Sequence, residues 1–206
     1  MSRQQLLIAT RNLGKMREFR ALLAAVPIEL CDLNSFPQIA TVKETGGTFI
    51  DNASLKATGY ARQAGVMTLA DDSGLEVEAL GGAPGVLSAR YAGQAASDSK
   101  RIEKLLSELS ALNVPNRTAR FVSVVAIADA SGKILNLSSG QCMGTITAIP
   151  RGENGFGYDP IFLPDGFDRT FGELPAEIKN QISHRARAFK GAADFLRSLT
   201  LRSGAG

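Results

Sequence analysis

The sequence is poor in the residues that build disulfide scaffolds. It has two cysteines, Cys31 and Cys142, and a single histidine, His184, among 206 residues. The two cysteines lie far apart and match no spacing used by metal ligands, so we expect ordinary thiols in a reducing compartment. A disulfide-stabilised fold is therefore excluded, and the cysteines receive no function.

Long apolar runs and long basic runs are also missing. No segment approaches the ~18 apolar residues of a membrane span, and the chain runs from Met1 into a strand-like stretch without an apolar leader. The 23 lysines and arginines are spread along the chain, unlike the basic tails that bind nucleic acid. We therefore expect a cytoplasmic protein with neither nucleic acid nor membrane as a partner.

The sequence does contain enough apolar material for one sizeable core. Hydrophobic residues make up 44% of the chain and charged residues 21%, which predicts a soluble globular protein of one domain or two close lobes. The net charge of +3 is mild. It favours an anionic small ligand over a duplex as the partner.

Apolar periodicity predicts an α/β fold. In chain order we expect a strand at 6–10, a helix at 15–25, a helix from Thr48 to near Gly65, a strand from Val66, a helix at 97–109, strands at 119–130 and 134–149, and a last helix from Ser183. Thr48 and Asp51 have the spacing of a capping box, and residues 129–132 have the composition of a hairpin turn. A hairpin pairs its strands antiparallel, so the sheet should be mixed. Residues 204–206 are expected to form a frayed tail.

Two adjacent aspartates are the strongest chemical signal in the chain. Asp71 and Asp72 follow the apolar run 66–70, which predicts that they lie at a strand end. Adjacent carboxylates resist burial without a cation, a shared proton or strong donors, and Mg²⁺ is usually held by one or two carboxylates plus substrate phosphates. Consecutive strand residues face opposite ways, so we expect Asp72 to act directly and Asp71 to support it. A plain turn is the alternative, because Asp, Ser and Gly all favour turns.

The segment Thr10-Arg11-Asn12-Leu13-Gly14-Lys15 is predicted to leave a strand and enter a helix. A helix start attracts anions, and Lys15 and Arg17 in its first turn would add repulsion unless an anion is bound there. The segment is not a Walker loop, because Ala9 stands where the first glycine is required and Met16 where Ser or Thr would follow the lysine. It indicates a phosphate site, with a solvated surface turn as the alternative.

Glu44 extends the acidic group. It lies in a loop just before the helix that Thr48 caps. If that helix packs beside the strand that bears Asp72, Glu44 would share the same cation. The alternative is a solvated loop glutamate.

Two further segments combine aromatic or basic side chains with unusual surroundings. The loop Gly155-Phe156-Gly157-Tyr158-Asp159-Pro160 places two aromatics among glycines, which suits stacking on a nucleobase, although the rings would also serve to cap the core. The last helix starts with His184 and Arg185, and Lys179 lies four residues before Ser183. Cationic residues at a helix start contradict its charge preference, and such a conflict often marks a site.

Eight segments form an ordered set along the chain: Thr10-Arg11-Asn12-Leu13-Gly14-Lys15, Glu44-Thr45-Gly46, Asn52-Ala53-Ser54-Leu55-Lys56-Ala57, Ala70-Asp71-Asp72-Ser73-Gly74-Leu75, Gly81-Gly82-Ala83-Pro84-Gly85, Ser88-Ala89-Arg90-Tyr91, Gly155-Phe156-Gly157-Tyr158-Asp159-Pro160 and Ile182-Ser183-His184-Arg185. Taken in order, they resemble the inosine triphosphate pyrophosphatase family, whose members remove noncanonical purine nucleoside triphosphates. The resemblance spans nearly the whole chain. It implies an elongated mixed β-sheet flanked by helices, one domain over residues 1–206 with two lobes and a central cleft, and a homodimer.

The resemblance also implies roles for individual residues. The triphosphate would be held by Thr10, Arg11, Asn12, Leu13, Gly14, Lys15 and Lys56. Asp72 would be the catalytic carboxylate and a Mg²⁺ ligand, Glu44 a further metal ligand, and Ser73 a substrate contact. The base and sugar would be enclosed by Phe156, Gly157, Tyr158, Asp159, Lys179, His184 and Arg185. Lys43 is a departure, because many relatives carry a second acid before the glutamate.

The implied activity is Mg²⁺-dependent attack of water on the α-phosphorus of ITP, dITP or XTP, which releases the monophosphate and pyrophosphate. Donors from His184 and Arg185 aimed at a 6-oxo group would face the 6-amino group of adenine unpaired, so ATP would be rejected. The second hypothesis is a purine-nucleotide sensor without catalysis. The adjacent acids disfavour it, because binding alone is better served by basic and backbone donors. A role in RNA binding rests only on the basic pI, since the chain has no basic patch with interleaved aromatics.

Overall fold

The computed structural model of the protein describes residues 5–203, and their side chains up to residue 199. Its strands and helices are β1 (Gln5–Ile8), α1 (Leu13–Leu23), β2 (Glu29–Asp32), α2 (Phe49–Ala64), β3 (Met67–Val77), α3 (Asp98–Leu112), β4 (Thr118–Ala128), β5 (Ile134–Ile146), β6 (Phe162–Pro164), α4 (Ala176–Ile182) and α5 (His184–Ser203). The predicted α/β class is confirmed. The predicted tail at 204–206 lies outside the described residues.

The six strands form one sheet in the order β2-β1-β3-β4-β5-β6. β1 runs parallel to β2 and to β3, and β5 runs antiparallel to β6. In the turn between β4 and β5 the backbone N–H of Asp129 donates to the carbonyl of Lys133 at 2.9 Å. So short a connection between sheet neighbours requires an antiparallel pair. The predicted mixed sheet and hairpin are confirmed.

Helix α2 has the boundaries that local sequence signals predict. Thr48 Oγ1 accepts from the backbone N–H of Asp51 at 3.1 Å and donates to the carboxylate of Asp51 at 2.8 Å. At the other end Gly65 has φ +67° and its N–H donates to the carbonyl of Ala61 at 2.8 Å. A left-handed residue at this position favours glycine, because a Cβ is disfavoured there.

Three elements were not predicted. Strands β2 and β6 have four and three residues, which is too short to show a period. Helix α4 has seven residues and begins after Pro175 without a side-chain cap. None of the helices in the described part of the chain is long and apolar enough to cross a membrane.

The prediction that Asp71 and Asp72 lie at a strand end is wrong. Strand β3 continues from Met67 to Val77, so the two carboxylates lie in its middle. Both side chains are buried. Intrinsic preferences disfavour aspartate in a strand, but tertiary partners override them, and cationic partners are present here.

The chain divides into two compact units. Unit 1 contains the described residues up to Asp72, Ser123–Gly140, and the described residues from Arg185 onward. Its core joins the sheet to α1 and α5, and the ring of Phe19 stacks on that of Phe189 with 4.6 Å between centroids.

Unit 2 contains Ser73–Val122 and Gln141–His184. Its core contains a cluster of three phenylalanine rings, Phe121, Phe162 and Phe171. Helix α3 packs Ile102, Leu105 and Leu109 into this core, as its periodicity predicts. Each unit therefore has apolar material of its own.

Candidate active site

A cluster of opposite charges surrounds the aspartates of β3 in unit 1. Lys15 Nζ, from α1, donates to Asp71 Oδ2 at 2.9 Å. Lys56 Nζ, from α2, lies 3.2 Å from Asp72 Oδ1 and 3.1 Å from Glu44 Oε2. The neighbouring aspartates thus contact different lysines, as the alternating side-chain directions of a strand predict.

Arg185 joins this cluster from the first turn of α5. Its Nε lies 3.7 Å from Asp71 Oδ2, and its guanidinium forms an ion pair with Glu18 of α1. The resemblance assigns Arg185 to the base and sugar. In unit 1 it contacts the carboxylates of Glu18 and Asp71, and it supplies Asp71 with a second positive neighbour.

The two aspartates have opposite electrostatic environments. Burial acts to raise the pKa of Asp71, but the charges of Lys15, Arg185 and Lys56 outweigh it and lower the pKa to about 2. Burial, with the nearby charges of Glu44 and Asp71, raises the pKa of Asp72 to about 6 against the opposing effect of the lysines. Asp71 is therefore a permanent anion, whereas Asp72 is able to exchange a proton near neutral pH.

The two lysines also differ. Burial lowers the pKa of Lys15, and the positive charges of Lys56 and Arg185 act in the same direction. For Lys56, burial acts to lower the pKa, but the carboxylates of Asp72, Asp71 and Glu44 raise it above its usual value. Lys56 is the more firmly protonated of the two.

Asp72 and Glu44, the predicted metal ligands, both lie beside Lys56. Asp72 Oδ2 is buried and has no hydrogen-bond partner among residues 5–199. In the part of the chain that the structure describes, no three His, Cys, Asp or Glu side chains gather to hold a metal ion. A complete protein-built metal site is thus not formed, whereas two carboxylates suit Mg²⁺ when substrate phosphates supply further ligands.

The predicted phosphate segment forms the start of α1. The helix begins at Leu13, two residues before its predicted start, and Asn12 is its N-cap, with Oδ1 accepting from the N–H of Lys15 at 3.0 Å. Thr10 Oγ1 accepts from the N–H of Asn12 at 3.2 Å. Arg11 and Leu13 are exposed. The first N–H groups of a helix have no intrahelical acceptors, so this end favours anions.

Asn52 fixes the loop that carries Glu44. Its side chain is fully buried, and Oδ1 accepts from the N–H of Gly46 at 2.8 Å. It lies one helical turn before Lys56 on α2, so the two side chains share a face. Helix α2 therefore sets the position of both Lys56 and the Glu44 loop.

A second group of predicted site residues gathers in unit 2. Asp159 Oδ2 accepts from Lys179 Nζ at 2.5 Å and from the N–H of Phe156 at 2.8 Å. Lys179 Nζ also lies 4.8 Å from the centroid of the Phe156 ring. The Gly157 N–H donates to Asp98 Oδ2 at 2.6 Å. The loop, α4 and α3 are thus joined by charge-assisted hydrogen bonds.

Three other predicted site residues also belong to unit 2. Tyr158 is a buried member of the unit 2 core, and its hydroxyl donates to the carbonyl of Ser88 at 3.0 Å. The His184 ring stacks on Phe121 with 4.6 Å between centroids. Ser73 is half-buried in β3. The structure thus gives Tyr158 the core position that was the alternative to base stacking.

Sequence reasoning did not single out Glu18, Asn52 or Asp98. Glu18 and Asp98 contact partners that are 167 and 59 residues away, so no local pattern indicates them. For Asn52 a signal existed, because it precedes Lys56 by four residues on a predicted helix.

The fold and these contacts define an α/β protein with buried carboxylates and lysines beside a helix start suited to anions. The chain belongs to the Ham1 family, whose model matches residues 6–195. This match, with the relatives below, confirms the resemblance seen in the sequence.

Curated relatives cover most of the chain. It is 52% identical over 183 residues to a dITP/XTP pyrophosphatase of Syntrophobacter fumaroxidans (89% of this chain, 78% of that one). It is 49% identical over 185 residues to a dITP/XTP pyrophosphatase of Geobacillus kaustophilus (90% of each).

Solved structures agree with the fold. A HAM1 protein from Coxiella burnetii matches with a TM-score of 0.87 at 40% identity, over 95% of this chain and 99% of that one. A structure from Mycobacterium abscessus, named nucleoside-triphosphatase / dITP/XTP pyrophosphatase, matches with a TM-score of 0.74 at 42% identity, over 92% and 98%.

Proposed function

We propose that the protein hydrolyses noncanonical purine nucleoside triphosphates, namely ITP, dITP and XTP, to the monophosphate and pyrophosphate, and so cleanses the nucleotide pool. The names of its relatives support the reaction class. The observation that carries the proposal is the pairing of Asp72 and Lys56 in unit 1, where a carboxylate of raised pKa lies 3.2 Å from an ammonium group.

The triphosphate is bound by the start of α1 and by two lysines. Free N–H groups of the first turn and the side chains of Thr10 and Asn12 offer polar contacts, and Lys15 and Lys56 offer positive charge. Lys15 already neutralises Asp71. This pairing lets the segment hold a lysine in a half-buried position before substrate arrives.

Asp72 accepts a proton from the attacking water. The water oxygen forms a bond to the α-phosphorus, the bond from that phosphorus to the bridging oxygen breaks, and pyrophosphate leaves. Without a bound cation, a carboxylate with a pKa of about 6 is a stronger base than an ordinary aspartate and is still mostly ionised at pH 7. Lys56 stabilises the negative charge that develops on the phosphate oxygens.

Asp72 and Glu44 would hold Mg²⁺, which neutralises charge on the phosphates when it is bound. The unpartnered Asp72 Oδ2 supports this assignment. Both acids contact Lys56, so Lys56 keeps them close together before the metal arrives. Replacement of Lys43 by a second acid would test whether Glu44 suffices alone.

We assign binding of the base to residues of unit 2. Phe156 offers a ring for stacking, and Lys179 and His184 offer donors to a 6-oxo group. Adenine presents a 6-amino group and would leave those donors unpaired, a mismatch that can reduce kcat/KM by ~10⁴. Guanine shares the 6-oxo group, so its rejection must depend on the surroundings of its 2-amino group.

We also propose that the protein acts in the cytoplasm and assembles as a homodimer. The dimer rests on the family resemblance. Sedimentation velocity at micromolar concentration tests it, and a monomer at every concentration would contradict it.

The decisive experiment measures pyrophosphate release from ITP, XTP, GTP and ATP with Mg²⁺, with EDTA, and in the Asp72→Asn variant. We expect metal-dependent release from ITP and XTP that the variant loses while it keeps its fold. Near-normal activity in Asp72→Asn would refute the role of Asp72. Binding without release from any triphosphate would instead favour the sensor hypothesis.

A further inference from the structure

The loop 155–159 is held at two consecutive backbone N–H groups by two different carboxylates. The Phe156 N–H donates to Asp159, and the Gly157 N–H donates to Asp98 Oδ2 at 2.6 Å. Asp159 belongs to the loop itself, but Asp98 belongs to the first turn of α3. Asp98 therefore ties this loop to α3.

Asp98 is itself fixed on its other side. Its Oδ1 accepts from Arg101 at 2.6 Å, and Arg101 donates to the carbonyl of Ala89 at 2.5 Å. Both oxygens of the carboxylate are thus used, one for the loop and one for the arginine. This arrangement leaves Asp98 little freedom to turn away from Gly157.

Helix α3 does not need Asp98 as its cap. Ser97 is the N-cap, and its Oγ accepts from the N–H of Lys100 at 3.3 Å. An acid in the first turn gains a modest stabilisation from the helix dipole. The hydrogen bonds of Asp98 to Gly157 and Arg101 are additional to this effect. The side chain thus has a purpose beyond helix stability.

The backbone of the loop needs such anchors. Gly155 and Gly157 have φ of +77° and +63°, and glycine is the residue most free to leave such a conformation in the absence of restraint. Phe156 lies between the two glycines, and its ring lies 4.8 Å from Lys179 Nζ. Anchoring both N–H groups fixes the position of the Phe156 ring before a ligand binds.

We propose that Asp98 is a positioning residue that preorganises loop 155–159 for the purine base. The inference rests on the proposed function, in which Phe156 and Lys179 bind the base. Asp98 does not touch the substrate in this proposal. It sets affinity and base preference because a loop that is already ordered loses less conformational freedom when the base binds.

Asp98→Ala should raise KM for ITP about tenfold, the effect expected from loss of one charge-assisted hydrogen bond, with kcat changed less than threefold. Asp98→Asn retains one acceptor oxygen, so its KM should lie between those of the wild type and the alanine variant. Ser97→Ala is the matched control, because it weakens the cap of α3 without altering the contact to Gly157.

Inorganic tripolyphosphate provides a readout that a general loss of stability would not reproduce. It carries the phosphates without a base, so its inhibition constant against ITP should be unchanged in Asp98→Ala. Amide exchange at Gly157, measured in the free protein by NMR, should become faster in Asp98→Ala and remain unchanged in Ser97→Ala.

Three results would overturn the inference. They are a wild-type KM for ITP in Asp98→Ala, an equal rise of KM in Ser97→Ala, and an equal weakening of inhibition by tripolyphosphate in Asp98→Ala. The proposed function is tested separately by the wild-type enzyme. If the wild type releases no pyrophosphate, both fail, but if it is active and the variants do not differ from it, only the role of Asp98 fails.

Discussion

Replacement of each aspartate of β3 by asparagine should change stability in opposite directions. The pKa of Asp71 is lowered from 3.8 to about 2, and the pKa of Asp72 is raised from 3.8 to about 6. One pKa unit corresponds to about 1.4 kcal/mol. At pH 7, without metal, Asp71→Asn should therefore destabilise the fold by about 2–3 kcal/mol, and Asp72→Asn should stabilise it by about 3 kcal/mol.

The pH dependence separates these effects from simple packing changes. The ionised Asp71 stabilises the fold above pH 3.8, and this contribution is lost as the pH falls through about 2. It is therefore equal at pH 5 and pH 7. For Asp72, the folded chain keeps a proton between pH 3.8 and about 6 that the unfolded chain has released, so stability falls as the pH rises through this window. The gain from Asp72→Asn should grow from about 1–2 kcal/mol at pH 5 to about 3 kcal/mol at pH 7.

Urea unfolding of the three proteins in EDTA at pH 5 and pH 7 measures these differences. EDTA is needed, because a bound cation would stabilise the ionised Asp72 and reverse its contribution. Destabilisation by both substitutions, or a gain from Asp72→Asn that is equal at the two pH values, would refute the opposite environments assigned to the two carboxylates.

Two other substitutions test the elements that hold the cluster. Gly46→Ala would place a Cβ 3.1 Å from the backbone nitrogen of Asn52, so it should lower the free energy of unfolding in urea by about 1–3 kcal/mol. Gly47→Ala has open space around its Cβ and should be nearly neutral. Equal effects of the two substitutions would contradict the tight packing of Gly46. Lys56→Met removes a positive charge from beside Asp72, so the pKa of that carboxyl should rise further. The acidic limb of the pH profile of kcat/KM should therefore move to higher pH, and kcat/KM at pH 7 should fall about 10–100-fold. An acidic limb at the wild-type pH would contradict the pairing of Lys56 with Asp72.

Local signals were sufficient where a short stretch of chain determines its own structure. Thr48 and Gly65 mark the two ends of α2 by side-chain capping and by a left-handed backbone, and both effects act within a few residues. The turn at 129–132 is of the same kind. These elements were predicted with the correct ends or nearly so.

Tertiary contacts decided what the sequence did not predict. Asp71 and Asp72 have the composition of a turn, and only Lys15, Lys56 and Arg185, brought from other elements, allow them to be buried in a strand. The short strand β6 exists because it pairs with β5. No property of its own three residues distinguishes it from a loop.

The residues of the candidate site also divide into those that the sequence predicted and those that only tertiary contacts reveal. Lys15, Lys56 and the aspartates were predicted as site residues, and the structure places them together in unit 1. Their pairing was not predicted, because it depends on which face of β3 meets α1 and α2. The anchors supplied by Glu18 and Asp98 depend on contacts across long stretches of sequence, so they required the structure.

The register between β1 and β3 determines which face of the sheet each aspartate side chain of β3 occupies. Ile8 lies opposite Leu69, and the N–H of Ala9 donates to the carbonyl of Leu69 at 2.8 Å, which fixes β3 two residues before Asp71. A slip by one residue would turn every side chain of β3 to the opposite face. An insertion just before Asp71 would move its carboxylate to the position that Asp72 now occupies beside Lys56, and would carry Asp72 on to the position of Ser73. A single insertion would therefore change which carboxylate pairs with Lys56 without altering any residue of the site.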